Sequence, residues 1–255
     1  MSNDFLHGTN YTKNTGWRHA ADAQLEDLVY YLPSSDMRRK GDAVKMEIEL
    51  LDRTVDLDKS ELLRKFDAFD PDEWTIVRHS PKWVVEPGRI SGGGPDEPTH
   101  GQIFCRTPVI GDVVMEFDAR IVPPSYHDIV WFWNVRLDEQ PWSAGYLGCL
   151  GGWWSGMAGI EKLPVFEPSA IAPSHKCEPG RWYHVVSGSS GHAHFIVVDG
   201  KLVSYMADGE PPDPSCPGYF GFGIYESHAE YANLKVYRPA STPLVHQYKP
   251  GTLTA

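Results

Sequence analysis

The segment from His194 to Met206, HFIVVDGKLVSYM, narrows most sharply what this chain can fold into. Two β-branched and aromatic runs meet at Asp199-Gly200, and a two-residue connection of that kind needs positive φ, which Gly adopts without steric cost. The segment therefore predicts an antiparallel hairpin with strands over residues 194–198 and 201–207. A hairpin alone cannot bury its apolar face, so other strands must supply the opposing surface. Val113, Met115, Phe117, Ala119 and Ile121 alternate with Val114, Glu116, Asp118 and Arg120, which makes a strand with one core face and one partly wet face. Residues 128–136, DIVWFWNVR, are apolar on both faces and read as a central strand. Further strands are expected at residues 69–77, 102–107, 145–150, 182–187, 219–225 and 229–237, separated by turns that 24 Gly and 21 Pro supply.

Strands without intervening long helices favour an all-β fold, two antiparallel sheets packed as a jelly-roll β-sandwich. At 255 residues the chain accommodates one such domain, expected over residues 62–240, with an extended tail over 241–255. Ahead of it, residues 20–32 place Leu25, Leu28, Val29 and Leu32 on one helical face before Pro33, and residues 36–51 carry Val44, Ile48 and Leu51 in similar phase. Residues 1–61 thus read as a short helical N-terminal arm, packed on the sandwich or on a second copy; the latter would make a homo-oligomer.

A formal net charge of −11 argues against nucleic acid or an anionic membrane as partner, because both require concentrated Lys and Arg. The N-terminal residues are polar, without the basic-then-apolar order of a secretory leader, and no apolar run reaches bilayer length, so a cytoplasmic location is expected. Four cysteines, Cys105, Cys149, Cys177 and Cys216, are too few for a disulfide scaffold and lack zinc-site spacing. Cys105 and Cys149 read as strand core thiols, with a disulfide left open.

The C-terminal third reads PGRWYHVVSG, HFIVVDGKLVSYM, GYFGFGIYES and AEYANLKVYRP in order. That order resembles the concanavalin-A-like lectin/glucanase superfamily, and within it the 3-keto-disaccharide hydrolase and YesU-like families. Trp182, Asp199, Gly200, Lys201, Gly218, Gly221, Leu234 and Val236 occupy the positions that carry the likeness. FDAFDPDEWTIV and VVMEFDARI look like the opening strands of the same sandwich, and GMAGIEKLP is similar to a Gly-rich turn of the YesU-like group. The resemblance spans about residues 62–238 and implies a protein that handles carbohydrate.

A saccharide site needs flat apolar faces for pyranose rings and polar groups for hydroxyls. Tyr126, Trp131, Trp133, Trp142, Trp153 and Trp154 concentrate such faces in one region. Trp131 and Trp133 either fill the core or line a groove, whereas Trp153 and Trp154, in the loop GGWWSGMAG, are expected in the substrate site. The period of two places Asp128, Phe132, Asn134 and Arg136 on the other face of their strand, where Asn134 and Arg136 could grip hydroxyls or a uronate. Lys162 joins Asp128 and Tyr126 as a further binding candidate. For acid–base chemistry Glu161 is the chosen carboxylate, its competing reading being a surface turn residue paired with Lys162; His127 and His175 are candidate proton carriers.

The E-x-D-x-x-E string of retaining glucanases is absent, as are a nucleophile elbow and a phosphate loop. The run SGGGPDEPTH reads as a flexible turn in which Asp96, Glu97 and His100 offer cation ligands. No cofactor is expected beyond a structural calcium, for which Asp67, Asp70 and Asp72 offer oxygens; plain turn formation is their alternative role. The expected function is cleavage, by hydrolysis or elimination, of a glycosidic bond in a small, oxidised or uronate-containing saccharide. A non-catalytic sugar-binding module and a structural assembly protein are the alternatives.

Overall fold

The computed structural model describes residues 46–78, 83–94, 100–137, 143–152, 156–165, 167–172 and 177–244. Seventeen strands run through the described residues, with one 3-10 turn at Pro71–Glu73. They are β1 (Glu47–Glu49), β2 (Arg53–Lys65), β3 (Trp74–Arg78), β4 (Trp83–Glu86), β5 (Arg89–Gly93) and β6 (His100–Cys105). Next come β7 (Val109–Ile110), β8 (Val114–Ile121), β9 (Ile129–Val135), β10 (Gly145–Gly152), β11 (Met157–Leu163) and β12 (Glu167–Ala172). The last are β13 (Tyr183–Ser190), β14 (Ala193–Val198), β15 (Lys201–Ala207), β16 (Pro217–Tyr225) and β17 (His228–Pro243). The first sheet has the order β1-β2-β17-β8-β13-β14-β15, with β5 also on β17 and β4 on β5; the second runs β12-β11-β10-β9-β16-β6-β3, with β7 on β16. The protein is an all-β antiparallel sandwich.

The hairpin forms where its turn chemistry places it. Asp199 and Gly200 take φ 50° and 77°, and Val198 pairs with Lys201. On β8 the residues Met115, Phe117, Ala119 and Ile121 face the core, where they meet Trp131 and Trp133 of β9, Tyr146 and Leu150 of β10, and Phe220 and Phe222 of β16. Trp131 and Trp133 are fully buried there, which decides the core reading over the groove. Gly148 makes room for the first, because a Cβ at that position would lie 2.4 Å from the Trp131 indole. Tyr231 ties the layers together: its buried hydroxyl accepts the Val130 N–H at 3.1 Å and lies 2.7 Å from the Gly223 carbonyl.

Three local expectations are corrected. Residues 47–49 form a strand rather than the end of a helix, and β2 pairs with β17 from Lys65↔Lys235 to Arg53↔Pro243. The reason is visible in burial: Leu50 is 3% exposed and Leu51 67%, so Ile48 and Leu50 follow a period of two, and Leu51 leaves the supposed helical face. Most of the helical arm, including residues 20–32, lies outside the described residues, as do residues 245–255 of the tail. Ser91, Gly92 and Gly93, read as a flexible turn, belong to β5 beside β17; a Cβ on Gly93 would sit 1.9 Å from the Ser227 carbonyl, so the glycine permits close strand approach. The GMAGIEKLP segment, read as a turn, is largely strand β11.

Strand β9 carries a bulge. Opposite it on β16, Tyr219 pairs with Val135 and Gly221 with Phe132, so β9 holds one extra residue there, and Asn134 takes φ 53°. The alternation that put Asn134 and Arg136 on the face of Asp128 and Phe132 is broken at that point. All four cysteines are free thiols, with Cys105 and Cys149 buried. No helix among the described residues is long and apolar enough to cross a membrane.

Candidate functional site

The face of the second sheet turned away from the first is built from two rows of paired residues. One row runs Gln102, Gly223, Val130, Cys149, Gly159 across β6, β16, β9, β10 and β11; its neighbour runs Phe104, Gly221, Phe132, Leu147, Glu161. Successive side chains on a strand alternate faces, so everything in these rows points away from the core that Trp131, Trp133 and Tyr146 fill. Phe104, Val130, Phe132, Leu147, Cys149 and Leu163 form an apolar cluster on this face. The two glycines of β16 leave room for the rings of Phe104 and Phe132, which fill the space above them with centroids 5.3 Å apart.

Polar chemistry is set into this apolar ground. Asp128, at φ 73° just before β9, is 7% exposed and accepts the Cys149 thiol hydrogen at 3.0 Å; Glu161 is 3% exposed in the adjoining strand. The Asp128 backbone is fixed at both ends, its N–H donating to the Gly151 carbonyl at 3.3 Å and its carbonyl accepting Ser227 Oγ at 3.0 Å. Gly152 is required beside it, since a Cβ there would lie 2.2 Å from Cys149 Sγ and 2.3 Å from Asp128 Oδ1. Burial raises the pKa of the Asp128 carboxyl, with the thiol hydrogen bond pulling the other way. Burial, then the charge of Asp128, holds the Cys149 thiol well above its usual range, and Glu161 adds to the effect. Two carboxylates thus bracket a thiol that stays protonated. Gln102 joins the same face with its Oε1 buried and without a hydrogen-bond partner among the described residues.

The residues singled out from sequence separate into two places. Tyr126 and His127 lie beside Asp128, Tyr126 exposed and in edge contact with the His127 ring at 4.7 Å. Asn134, Arg136 and Lys162 are drawn instead to one end of the sandwich. Asn134 Nδ2 donates to the Gly111 carbonyl at 2.9 Å, Arg136 donates to the carbonyls of Asp213 and Pro217, and Lys162 bonds the Asp208 carboxylate and the Glu210 carbonyl. The surface pairing of Glu161 with Lys162 is therefore overturned: neighbours on a strand face opposite ways, and the lysine goes to Asp208 at 2.8 Å. Trp142, Trp153, Trp154, Asp96, Glu97 and His175 lie outside the described residues. Asp70 caps the 3-10 turn through the Asp72 N–H at 2.9 Å, Asp67 pairs with Lys65 at 2.5 Å, and His100 stacks on Tyr225 at 4.0 Å.

Sequence reasoning missed Gln102 and the role of Cys149, although the alternation of Tyr146 and Leu150 into the core placed Cys149 on the opposite face. It also missed a polar cluster on the outer face of the first sheet. There Glu116 bonds Lys235 and Tyr237, each at 2.8 Å, and Asp118 bonds His184 at 2.8 Å and Asn233 at 2.7 Å. All four carboxylate oxygens are engaged, so this cluster joins β8, β13 and β17 rather than presenting a reactive group.

No family model matches the sequence, and no curated protein matches it. Solved structures do. A protein of galectin-like fold from Bacillus subtilis aligns with TM-score 0.56 at 10% identity, over 71% of this chain and 97% of its own. The carbohydrate-binding module CBM66 from the same organism aligns with TM-score 0.52 at 18% identity, over 65% and 96%. The exoplasmic/lumenal domain of VIP36, in a form bound to Ca2+ and Man3GlcNAc, aligns with TM-score 0.51 at 13% identity, over 77% and 92%. The fold is a lectin-like β-sandwich. At these identities the likeness is one of architecture, and activity must be argued from the site.

Proposed function

We propose that this protein acts on carbohydrate, cleaving a glycosidic bond of a small saccharide, by hydrolysis or elimination, on the outer face of the second sheet. One observation carries the reading: Asp128 and Glu161, both buried, bracket the Cys149 thiol on that face. Glycoside cleavage calls for one carboxyl held protonated to donate to the leaving oxygen and a second group that works ionised. Burial biases Asp128 toward the protonated state, and Glu161 supplies the second carboxylate. The resemblance to the YesU-like and 3-keto-disaccharide hydrolase families supports the same class. Arg136, which gives its guanidinium to the carbonyls of Asp213 and Pro217, is not available to grip a uronate on this face.

A binding-only role is the second reading, favoured by the architectural likeness to CBM66, a carbohydrate-binding module, and to the glycan-bound VIP36 domain. Turnover and binding measured together on neutral and uronate-containing oligosaccharides separate the two. Asp128→Asn and Glu161→Gln should each lower kcat by about 10²-fold or more while binding persists. Undiminished turnover in both variants would overturn the site assignment, and binding without turnover by the unaltered protein would establish the binding module.

A further inference from the structure

The aromatic residues of β6, β9 and β16 on the outer face of the second sheet differ in exposure. Phe104 and Phe132 are 0% and 1% exposed, so they fill that face and offer a ligand no surface. Tyr225, the last residue of β16, is 51% exposed. It stands on the same side as Gly221 and Gly223, because residues two apart on a strand share a face. β16 lies between β9 and β6, so Tyr225 has a neighbour on each flank.

On the β6 flank the neighbour is His100. The two residues pair in register, and their rings lie 4.0 Å apart with 35° between the planes. The imidazole therefore covers one face of the phenol ring and leaves the opposite face turned toward β9. On that flank Gly223 pairs with Val130, and a step of two residues along each antiparallel strand sets Asp128 beside Tyr225. Ser227, two residues past Tyr225, holds the junction by donating its hydroxyl to the Asp128 carbonyl at 3.0 Å. Burial raises the Asp128 pKa; the Cys149 thiol opposes it, and His127 and His100 are both near enough to oppose it as well. Neighbouring strands stand about 4.8 Å apart, so a ring laid on the open face of Tyr225 has its edge at Asp128.

We propose that Tyr225, backed by His100, is the stacking platform for a pyranose ring at the Asp128 site, so that the ligand of this site is a pyranoside read by its C–H face. The inference rests on the reading of Asp128 given above and names what that site holds. Chemistry selects the class. A pyranose chair presents a rigid C–H patch flanked by hydroxyls, and an aromatic face takes the patch while the hydroxyls stay in water or meet polar groups beside it. An open-chain polyol carries similar hydroxyls without a fixed C–H face, and must give up bond rotations to make one. His100 contributes by holding the phenol ring in place before the sugar arrives, which lowers the ordering cost of binding.

Ring ¹H–¹³C spectra of the full chain labelled with ¹³C-tyrosine test the proposal, with Tyr225 identified by the signal missing from Tyr225→Phe. Cellobiose, maltose and lactose serve as pyranoside probes and glucitol as the open-chain control. At least one disaccharide should move the Tyr225 ring signals saturably, and glucitol should not. Silence toward all three disaccharides, or an equal response to glucitol, would overturn the proposal. Tyr225→Ala should weaken binding of the responding disaccharide by about tenfold, whereas Tyr225→Phe, which keeps the ring, should stay within about threefold of the parent. A Tyr225→Phe protein that binds as weakly as Tyr225→Ala also overturns it, since the loss then follows the hydroxyl. Full binding by Tyr225→Ala, with turnover lost in Asp128→Asn, removes the platform and spares the Asp128 reading. Binding that depends on the Tyr225 ring, in a protein whose turnover survives Asp128→Asn, upholds the platform and removes Asp128 as the acid.

Discussion

Removing a single oxygen at Tyr231 should cost this protein a measurable share of its stability. In Tyr231→Phe the ring remains, stacked on Phe222 with centroids 4.1 Å apart, so the apolar burial is unchanged. What goes is the hydroxyl that accepts the Val130 N–H at 3.1 Å and serves the carbonyls of Gly223 at 2.7 Å and Val130 at 2.9 Å. A buried N–H left without its acceptor costs about 1–3 kcal/mol, and a carbonyl that loses one of two partners costs less. The expected loss is about 2 kcal/mol, or roughly 4–8 °C in Tm for a domain of this size. Urea unfolding should show a lower midpoint with an unchanged slope, and native-state hydrogen exchange should show reduced protection at the Val130 amide. Val130 stands two residues from Asp128, so the turnover proposed for Asp128 should fall in parallel. A loss below about 0.5 kcal/mol with unaltered exchange at Val130 would refute the claim that this hydroxyl fastens β9.

On the proposed reading, Gly152→Ala should abolish saccharide turnover, because its Cβ would stand 2.2 Å from Cys149 Sγ and 2.3 Å from Asp128 Oδ1; an unchanged kcat would mean that this pair is not part of the site. His194 has its pKa lowered by burial from 6.5 to about 3, so the unfolded chain takes up its proton first. Stability should therefore fall as pH drops from about 6.5 toward 3, by up to about 1.4 kcal/mol per pH unit, and His194→Phe should flatten that slope in urea titrations. His184 acts in the opposite sense. Its hydrogen bond with Asp118 raises its pKa above 6.5, so its contribution is complete below 6.5 and lost as pH climbs through the folded value, a dependence absent from His184→Gln. A thiol reagent at mildly alkaline pH should label exposed Cys216 rapidly, while Cys105 and Cys149 react only after unfolding and Cys177, its thiol pushed up to about 12 by burial, reacts slowly.

Much of the fold is legible before any coordinates. Turn chemistry is local, which is why Asp199-Gly200 announces its hairpin and Lys201–Ala207 emerges with the expected ends. Alternation is local too, and it places Met115, Phe117, Ala119 and Ile121 together on the core side of β8. The segment at residues 44–51 misleads because an apolar residue every three or four positions suits a helix, while the same stretch carries a strand pattern in Ile48 and Leu50 that matters only once β2 lies beside it. Glu161 and Asp128 were recognisable as chemically useful residues. Nothing in their spacing said that Cys149 would lie between them, because that depends on the register of β9, β10 and β11.

The sequence by itself determined the class of fold and the existence of its strands, because φ preferences and the two-residue period act over a few neighbours. Tertiary structure alone decided which of the two apolar faces of β9 met the other sheet, burying Trp131 and Trp133 and turning Val130 and Phe132 outward. It also decided where Asn134 went. One extra residue in β9 carried it away from Asp128 and into the polar end of the interior, a choice made by pairing with β16 across about 85 residues of intervening chain, where no local rule reaches.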